Sequence, residues 1–199
     1  MPSPVGHLLG GAAVYLAASR KEDRSRFTLG AVLFGSILPD FDFVPGLFVG
    51  KLSDYHHGIS HSLTFAVLFG AWFFVVAKCV HKDIAGKAAV LAGLGYVSHV
   101  ILDFVGVHEG TRGVPIFWPL SDHKFGLNLR VLGYFYYSDH GLWSVIRWNN
   151  VTVLLRELFV IGTPVLLLFR RERRAAQQSK HTSEAKRQTA TKIMGACNE

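Results

Sequence analysis

LTFAVLFGAWFFVVAKCV, residues 63–80, decides the fold. It is an unbroken apolar run whose only charge, Lys78, comes near its end. A helix that crosses the hydrocarbon core of a bilayer needs about 20 residues, with a range of roughly 17 to 25, and this run meets that requirement. Four more apolar segments flank it. One runs from Val5 to Ser19 and stops at RKEDRSR (Arg20 to Arg26); the next runs from Phe27 to Leu38, closes at Pro39 and resumes through FVPGLFVG. Beyond the central run lie Ile84 to Val107 and Val151 to Phe169, the latter ending directly at RRERR. These last two are also long enough to span. The first two are short, and we expect them to tilt, sit shallowly or pack within a bundle.

Composition agrees. Half of the 199 residues are hydrophobic, 13% are aromatic and 18% are charged, where a soluble domain carries about a quarter. The chain therefore reads as all-α, an integral-membrane bundle of about five apolar helices over residues 1–174. A Gly-, Pro- and aromatic-rich connection, residues 108–150, reads as a long extracytoplasmic loop of the lid or binding type. Its Trp118, Trp143 and Trp148 suit a membrane–water interface. Residues 175–199 are polar and are expected to form a disordered cytoplasmic tail. Cys79 and Cys197 form neither a disulfide framework nor a CxxC pair. The start, MPSPVGHLLGG, has no cation ahead of its apolar stretch, so no cleavable signal peptide is expected.

The net charge of +7 does not point to nucleic acid, because its distribution follows the apolar segments. Four cations fall in Arg20 to Arg26, three in Lys78 to Lys87 and eight from Arg170 onward; Lys51 stands alone between the second and third segments. The positive-inside rule puts the three clusters in the cytoplasm and the N-terminus outside. Five crossings are consistent with that assignment. They bring His7, the LPDFD end of the second segment and the HHGISHS block to one extracytoplasmic side, with His99 and Asp103 in the half of the fourth segment nearer to it.

Those residues carry the chemistry. His57 and His61 are four apart, as are His99 and Asp103, which puts each pair on one face of a helix. His99 and Asp103 lie inside an apolar helix, where an ionisable residue is a functional candidate by default. In LPDFD, residues 38–42, Pro39 ends a helix, and the Asp40-x-Asp42 alternation turns both carboxylates to one point if the backbone is extended. In HHGISHS, residues 56–62, Ser60 or a neighbour caps the following helix. The bland reading is a polar lead-in with surface histidines, but three histidines in six residues beside an apolar run favour a metal. Imidazole and carboxylate are ligands for first-row divalent ions. His81, His108, His123, His140 and His181 read as solvated. Arg112, Lys124 and Arg130 are placed to meet lipid phosphate or an anionic headgroup. Arg156 and Glu157 are expected to share charge locally or to face the bundle.

Taken in order, GH near the N-terminus, LPDxD, HxGxSHS and GYxSHxxxD followed by GVPxxWP resemble a family of bacterial inner-membrane metal-dependent hydrolases, some of them under SOS (LexA) control. The likeness covers roughly residues 5 to 130. It implies His7, Asp40, Asp42, His56, His61, His99 and Asp103 as metal ligands. The family pattern is HRGxTHS, and here His57 stands in the Arg place and Ser60 in the Thr place. A more distant similarity is to zinc-dependent phospholipase C. The resemblance implies a membrane-bound hydrolase acting on a phosphoester or lipid-linked substrate. Seven ligands exceed the needs of one four-coordinate ion, so one or two ions are expected. Zinc suits the histidines, while the aspartates leave manganese, magnesium or iron open. Asp42 or Asp103 is the expected general base. The alternatives are a non-catalytic membrane metal-binding or transport protein, a haem protein using two of His7, His61 and His99, and a serine hydrolase using Ser60 or Ser62. The topology has a direct check. In intact cells an impermeant thiol reagent should label Lys51→Cys and not Lys82→Cys, and the reverse pattern would move the histidines to the cytoplasm.

Overall fold

A computed structural model describes residues 2–19, 24–49, 55–106, 113–127, 129, 131–133, 135–136 and 146–196. Arg20, Lys21, Lys51, His108, Arg112, Arg130, Asp139, His140 and Trp143 lie outside these residues. The chain divides into two units, Met1–Val165 and Leu166–Glu199.

Serine hydroxyls start three helices by accepting an N–H that the first turn leaves unpaired. Ser3 accepts from Gly6 (3.2 Å) and, with Pro4 just inside, opens α1 (Pro4–Ala18). Ser25 accepts from Thr28 (3.0 Å) and opens α2 (Arg26–Ile37). The chain then tightens into a 3₁₀ turn over Leu38–Phe43 and continues as α3 (Val44–Val49). After a 3₁₀ turn at Ile59–His61, Ser62 accepts from Phe65 (3.4 Å) and opens α4, Leu63–Val80, the whole of the central apolar run. The cap is thus a neighbour of Ser60. A further 3₁₀ turn, Lys82–Ile84, leads into α5 (Ala85–Gly106).

Four stretches are long and apolar enough to cross a membrane: Arg26–Gly46, Leu63–Val80, Lys82–Gly106 and Trp148–Gln178. The expected short first segment is the shorter apolar helix α1. The fold is an all-helical membrane bundle. Among the described residues the only extended pairing is a single antiparallel bridge between Val114 and Phe125. Helix α5 is central and packs against α1, α2 and α4. Its buried face is small, with Ala85, Ala88, Ala89, Ala92 and Gly95 followed by Tyr96, His99, Val100 and Asp103. Lipid tails are as apolar as leucine, so helices in a bilayer associate through close packing and interhelical hydrogen bonds. A Cβ on Gly35 would stand 2.7 Å from the Ala92 carbonyl oxygen, and one on Gly95 would strike the carbonyl of Val32. Bare backbone at both positions lets α2 and α5 touch. On α4, Ala66, Phe69, Phe73 and Ala77 fill the core while Val67, Leu68, Trp72 and Val75 face outward.

The connection after α5 is tied to the helix ends. The N–H groups of Leu127 and Leu129 donate to Phe104 and Val105 carbonyls (2.8 and 3.2 Å), and Leu63 N–H at the start of α4 donates to Ile116 (3.0 Å). These bonds satisfy groups that helix termini leave open. The segment therefore lies at the end of the bundle where α4 begins and α5 ends.

The last segment is α6 (Trp148–Glu157), a π-helical turn over Leu158–Gly162, and α7 (Thr163–Ala196). Where a disordered tail was expected from residue 175, helix continues to Ala196. The stretch is polar, but Ala, Gln, Lys, Glu and Arg dominate it, and these are strong helix formers.

The α2–α5 contact yields a test. Gly95→Ala should destabilise the detergent-solubilised protein by about 1–3 kcal/mol, the usual cost of forcing a methyl into a filled contact. Thermal unfolding measures it, and an unchanged midpoint would show that the two backbones are not in contact.

Candidate metal centre

Helix α5 carries His99 and Asp103 on one face, as their spacing requires, and both are fully buried. His99 Nδ1 lies 2.8 Å from the Ser36 carbonyl on α2. A carbonyl only accepts, so Nδ1 carries the hydrogen and Nε2 is the free donor atom. That Nε2 stands 3.1 Å from Asp103 Oδ2 and 3.2 Å from His61 Nε2. From α1, His7 is fully buried, stacks on the His99 ring at 3.8 Å and brings Nε2 to 3.5 Å from Asp103 Oδ1.

Asp40 and Asp42 do not meet at one point as an extended backbone would have them. In a 3₁₀ turn, with 3.0 residues per turn, positions two apart differ by roughly 120° around the axis. They consequently flank the histidines from different sides. Asp40 Oδ1 faces Nε2 of His99 (3.5 Å), His61 (3.8 Å) and His56 (3.8 Å). Asp42 faces the opposite edge of two rings, with Oδ1 3.0 Å from His56 Nδ1 and Oδ2 3.2 Å from His61 Nδ1. Gly58 N–H and the Ser60 hydroxyl also donate to its Oδ2, both at 3.0 Å. Asp42 is thereby saturated, and it turns the Nε2 atoms of His56 and His61 away from itself.

His57 and His61 are not on one helical face. His57 sits in a turn with φ +61°, and His61 falls in the 3₁₀ turn just before the cap of α4. The turn still brings the His57 ring inward: it is buried, and its Nε2 lies 3.9 Å from Asp103 Oδ2. Tyr96 fixes this block from α5 by donating to the Ser60 carbonyl (2.6 Å), and Lys124 of the long connection donates to the His57 carbonyl (2.8 Å).

The donor atoms form two groups. His7, Asp40, His99 and Asp103 each offer one atom within 4.8 Å of the others, and so do His56, His57 and His61. His7 Nδ1 and Nε2, Asp40 Oδ1 and both oxygens of Asp103 are buried with no hydrogen-bond partner among the described residues. Buried polar atoms are normally paired, and orphaned carboxylate and imidazole atoms converging on one point fit a divalent cation. The charges lead the same way. Burial works against protonating His61, yet Asp103, Asp40 and Asp42 outweigh it and hold His61 well above the ordinary histidine value. The cluster attracts positive charge.

A haem held by His99 with His7 or His61 would need its macrocycle between the two rings, and stacked His7 and His99, with His61 Nε2 3.2 Å from His99 Nε2, leave no such gap. Ser62 caps α4, and Ser60 donates to Asp42 and lies 3.1 Å from His61 Nδ1. Of the two arrangements expected for Arg156 and Glu157, Glu157 takes the second and faces the bundle. It is fully buried and accepts from the backbone N–H (2.6 Å) and hydroxyl of Ser3 at the start of α1. His81, His123 and His181 are exposed. Ser36 and Tyr96 support the site without any sequence signal, since a backbone carbonyl and an aromatic on an apolar helix look ordinary.

These features define a multi-helical membrane protein with a buried histidine–aspartate centre at one end of its bundle. The chain belongs to the YdjM inner membrane protein family, whose model matches residues 1–174. It is an inner membrane protein by that membership. No curated protein and no solved structure matches it.

Two substitutions separate the roles seen here. Asp103→Ala should lower the bound metal per chain in elemental analysis of purified protein. Asp42→Asn should leave stoichiometry intact and weaken affinity by about 10–100-fold, the usual effect of losing a carboxylate behind a ligating histidine. Full occupancy at unchanged affinity in both variants would remove the centre.

Proposed function

We propose that the protein is a membrane-bound metal-dependent hydrolase that cleaves a phosphoester or lipid-linked substrate at the extracytoplasmic face of the inner membrane. The observation that carries this reading is the set of buried, unpaired atoms of His7, Asp40 and Asp103 meeting His99 Nε2 at the end of the bundle. His7, Asp40, His99 and Asp103 would hold the ion. Zinc suits this mixed nitrogen and oxygen set, and manganese, magnesium and iron share part of its ligand preference. A bound divalent ion supplies Lewis acidity and a water whose pKa is lowered toward neutrality.

The remaining work falls to the chain. Asp42 orients His56 and His61 and, engaged by Gly58 and Ser60 as well, is not free to accept a proton. Proton acceptance is left to a carboxylate oxygen of Asp40 or Asp103 that does not hold the ion. Phe41, Ile59 and Leu63 are exposed beside the centre, which suits an amphiphilic substrate arriving from the bilayer. Lys124, held against the His57 carbonyl, is a cation close to hand for a phosphate. The cation distribution along the chain supports the extracytoplasmic side.

The test is hydrolysis by zinc-loaded, detergent-solubilised protein across a panel of phospholipids, isoprenoid phosphates and p-nitrophenyl phosphate. Turnover is expected on at least one amphiphilic phosphoester, with loss on chelation and a fall of at least about 100-fold in kcat/KM for Asp103→Ala. Stoichiometric metal binding without turnover, together with metal uptake by proteoliposomes, would replace the hydrolase by a transporter.

A further inference from the structure

The stretch closed by the Val114–Phe125 bridge begins with PIFWPLS, residues 115–121, and carries no charge before Asp122. Turns that face water favour Gly, Asn, Asp and Ser. Here the outward places go to Phe117, half-exposed, and to Leu120, 92% exposed. Among the described residues no large apolar side chain is more exposed than Leu120.

This exposure is built into an ordered turn. Val114 and Phe125 exchange both backbone hydrogen bonds (2.9 and 3.0 Å), and Val114 is fully buried. Nearer the tip, Trp118 N–H donates to the Pro115 carbonyl (3.1 Å) and Leu120 N–H to the Phe117 carbonyl (2.8 Å). The Phe125 ring meets that of Phe117 edge-on at 5.4 Å. Backbone groups shape the tip, so polar side chains at 117 and 120 would have left these bonds in place. The apolar pair therefore serves a contact outside the turn.

Its position selects the partner. Leu63 N–H donates to the Ile116 carbonyl (3.0 Å), and the Thr64 hydroxyl donates to the Trp118 carbonyl (2.5 Å). Leu63 and Thr64 are the first two residues of the spanning helix α4. The tip thus stands level with a helix end, where acyl chains give way to headgroups and amphipathic or aromatic groups settle. Exposed Val67, Leu68, Trp72 and Val75 already give α4 an apolar face for lipid. Trp118, the residue that the sequence marks for the interface, turns its ring to Phe65 (5.8 Å). The outer contact falls to its neighbours.

We infer that Phe117 and Leu120 dock this connection into the lipid leaflet at the end of the bundle where α4 begins. Lys124, on the same stretch, donates to the His57 carbonyl. The segment that enters the leaflet is therefore the one that braces the histidine block. The contact requires neither bound metal nor catalysis, so it stands or falls apart from the hydrolase reading.

The experiment uses the full chain with Cys79→Ala and Cys197→Ser, one copy per nanodisc of phosphatidylcholine and phosphatidylglycerol. Phe117→Cys, Leu120→Cys and Asp122→Cys are each labelled with an environment-sensitive nitrobenzoxadiazole probe. Quenching is read with aqueous iodide and with lipids bearing a nitroxide on the acyl chain. Probes at 117 and 120 should emit to the blue of the probe at 122 and be quenched by the lipid nitroxide. The probe at 122 should be quenched by iodide instead. Unchanged thermal unfolding shows that the fold survives the labelling. Iodide quenching at both 117 and 120 puts the turn in water and overturns the lipid contact. Protection of both from either quencher means that protein covers the turn, which overturns it as well.

Discussion

The structure depends on burying Asp103 near one end of an apolar bundle with neither oxygen hydrogen-bonded. A bare carboxylate withdrawn from water costs several kcal/mol unless something offsets it. Everything around Asp103 is arranged to bring opposite charge or ligand nitrogen within reach. His99 comes from one turn earlier on α5, His7 from α1, and His57 and His61 from the block before α4. That convergence needs three helices and a loop to approach one level of the bundle. Gly35, Gly95 and the alanines of α5 permit it by letting backbones touch.

The supporting shell explains why the site is ordered. Each central ring is held on its far edge: His99 by the Ser36 carbonyl, His56 and His61 by Asp42. Those contacts choose the tautomer and aim Nε2 inward, which is the work of an outer shell in a metal site. Asp42 is held in turn by Gly58 and Ser60, and Ser60 by Tyr96. The chain of contacts runs from the core of α5 to the ligands, so the site is built on helices and short turns braced by helices.

Much of this was legible before the fold was known. The apolar run 63–80 became one helix with the expected ends, and the i, i+4 spacing of His99 and Asp103 translated directly into a shared buried face. Helical periodicity is local, and local patterns survive in a bundle. The turns were harder to read. Pro39 does end α2, but whether the following residues are extended or 3₁₀ depends on packing, and that choice decided where Asp40 and Asp42 point. His57 was misplaced for a similar reason: its left-handed turn is stabilised by Asp42 and by Lys124, 67 residues away. No periodicity rule reaches across that separation.

Glu157 shows how the first helix joins the site. Helix α1 is too short to be held by spanning alone, yet it must present His7 at a defined height. Its first turn exposes unpaired N–H groups and the positive end of the helix dipole, where a carboxylate is favoured. Glu157 supplies that carboxylate, buried and bonded to the Ser3 N–H and hydroxyl, while Ser3 itself caps Gly6. Gly6 is bare for a reason. A Cβ there would stand 2.9 Å from the Glu157 carboxyl carbon. The neighbouring His7 is therefore positioned by an ionisable residue from α6, immediately before the π-helical turn. A carboxylate in an apolar segment pointed to a partner inside the bundle. That partner is the start of α1, and its height is set by a contact on the polar end of the same helix that carries the ligand.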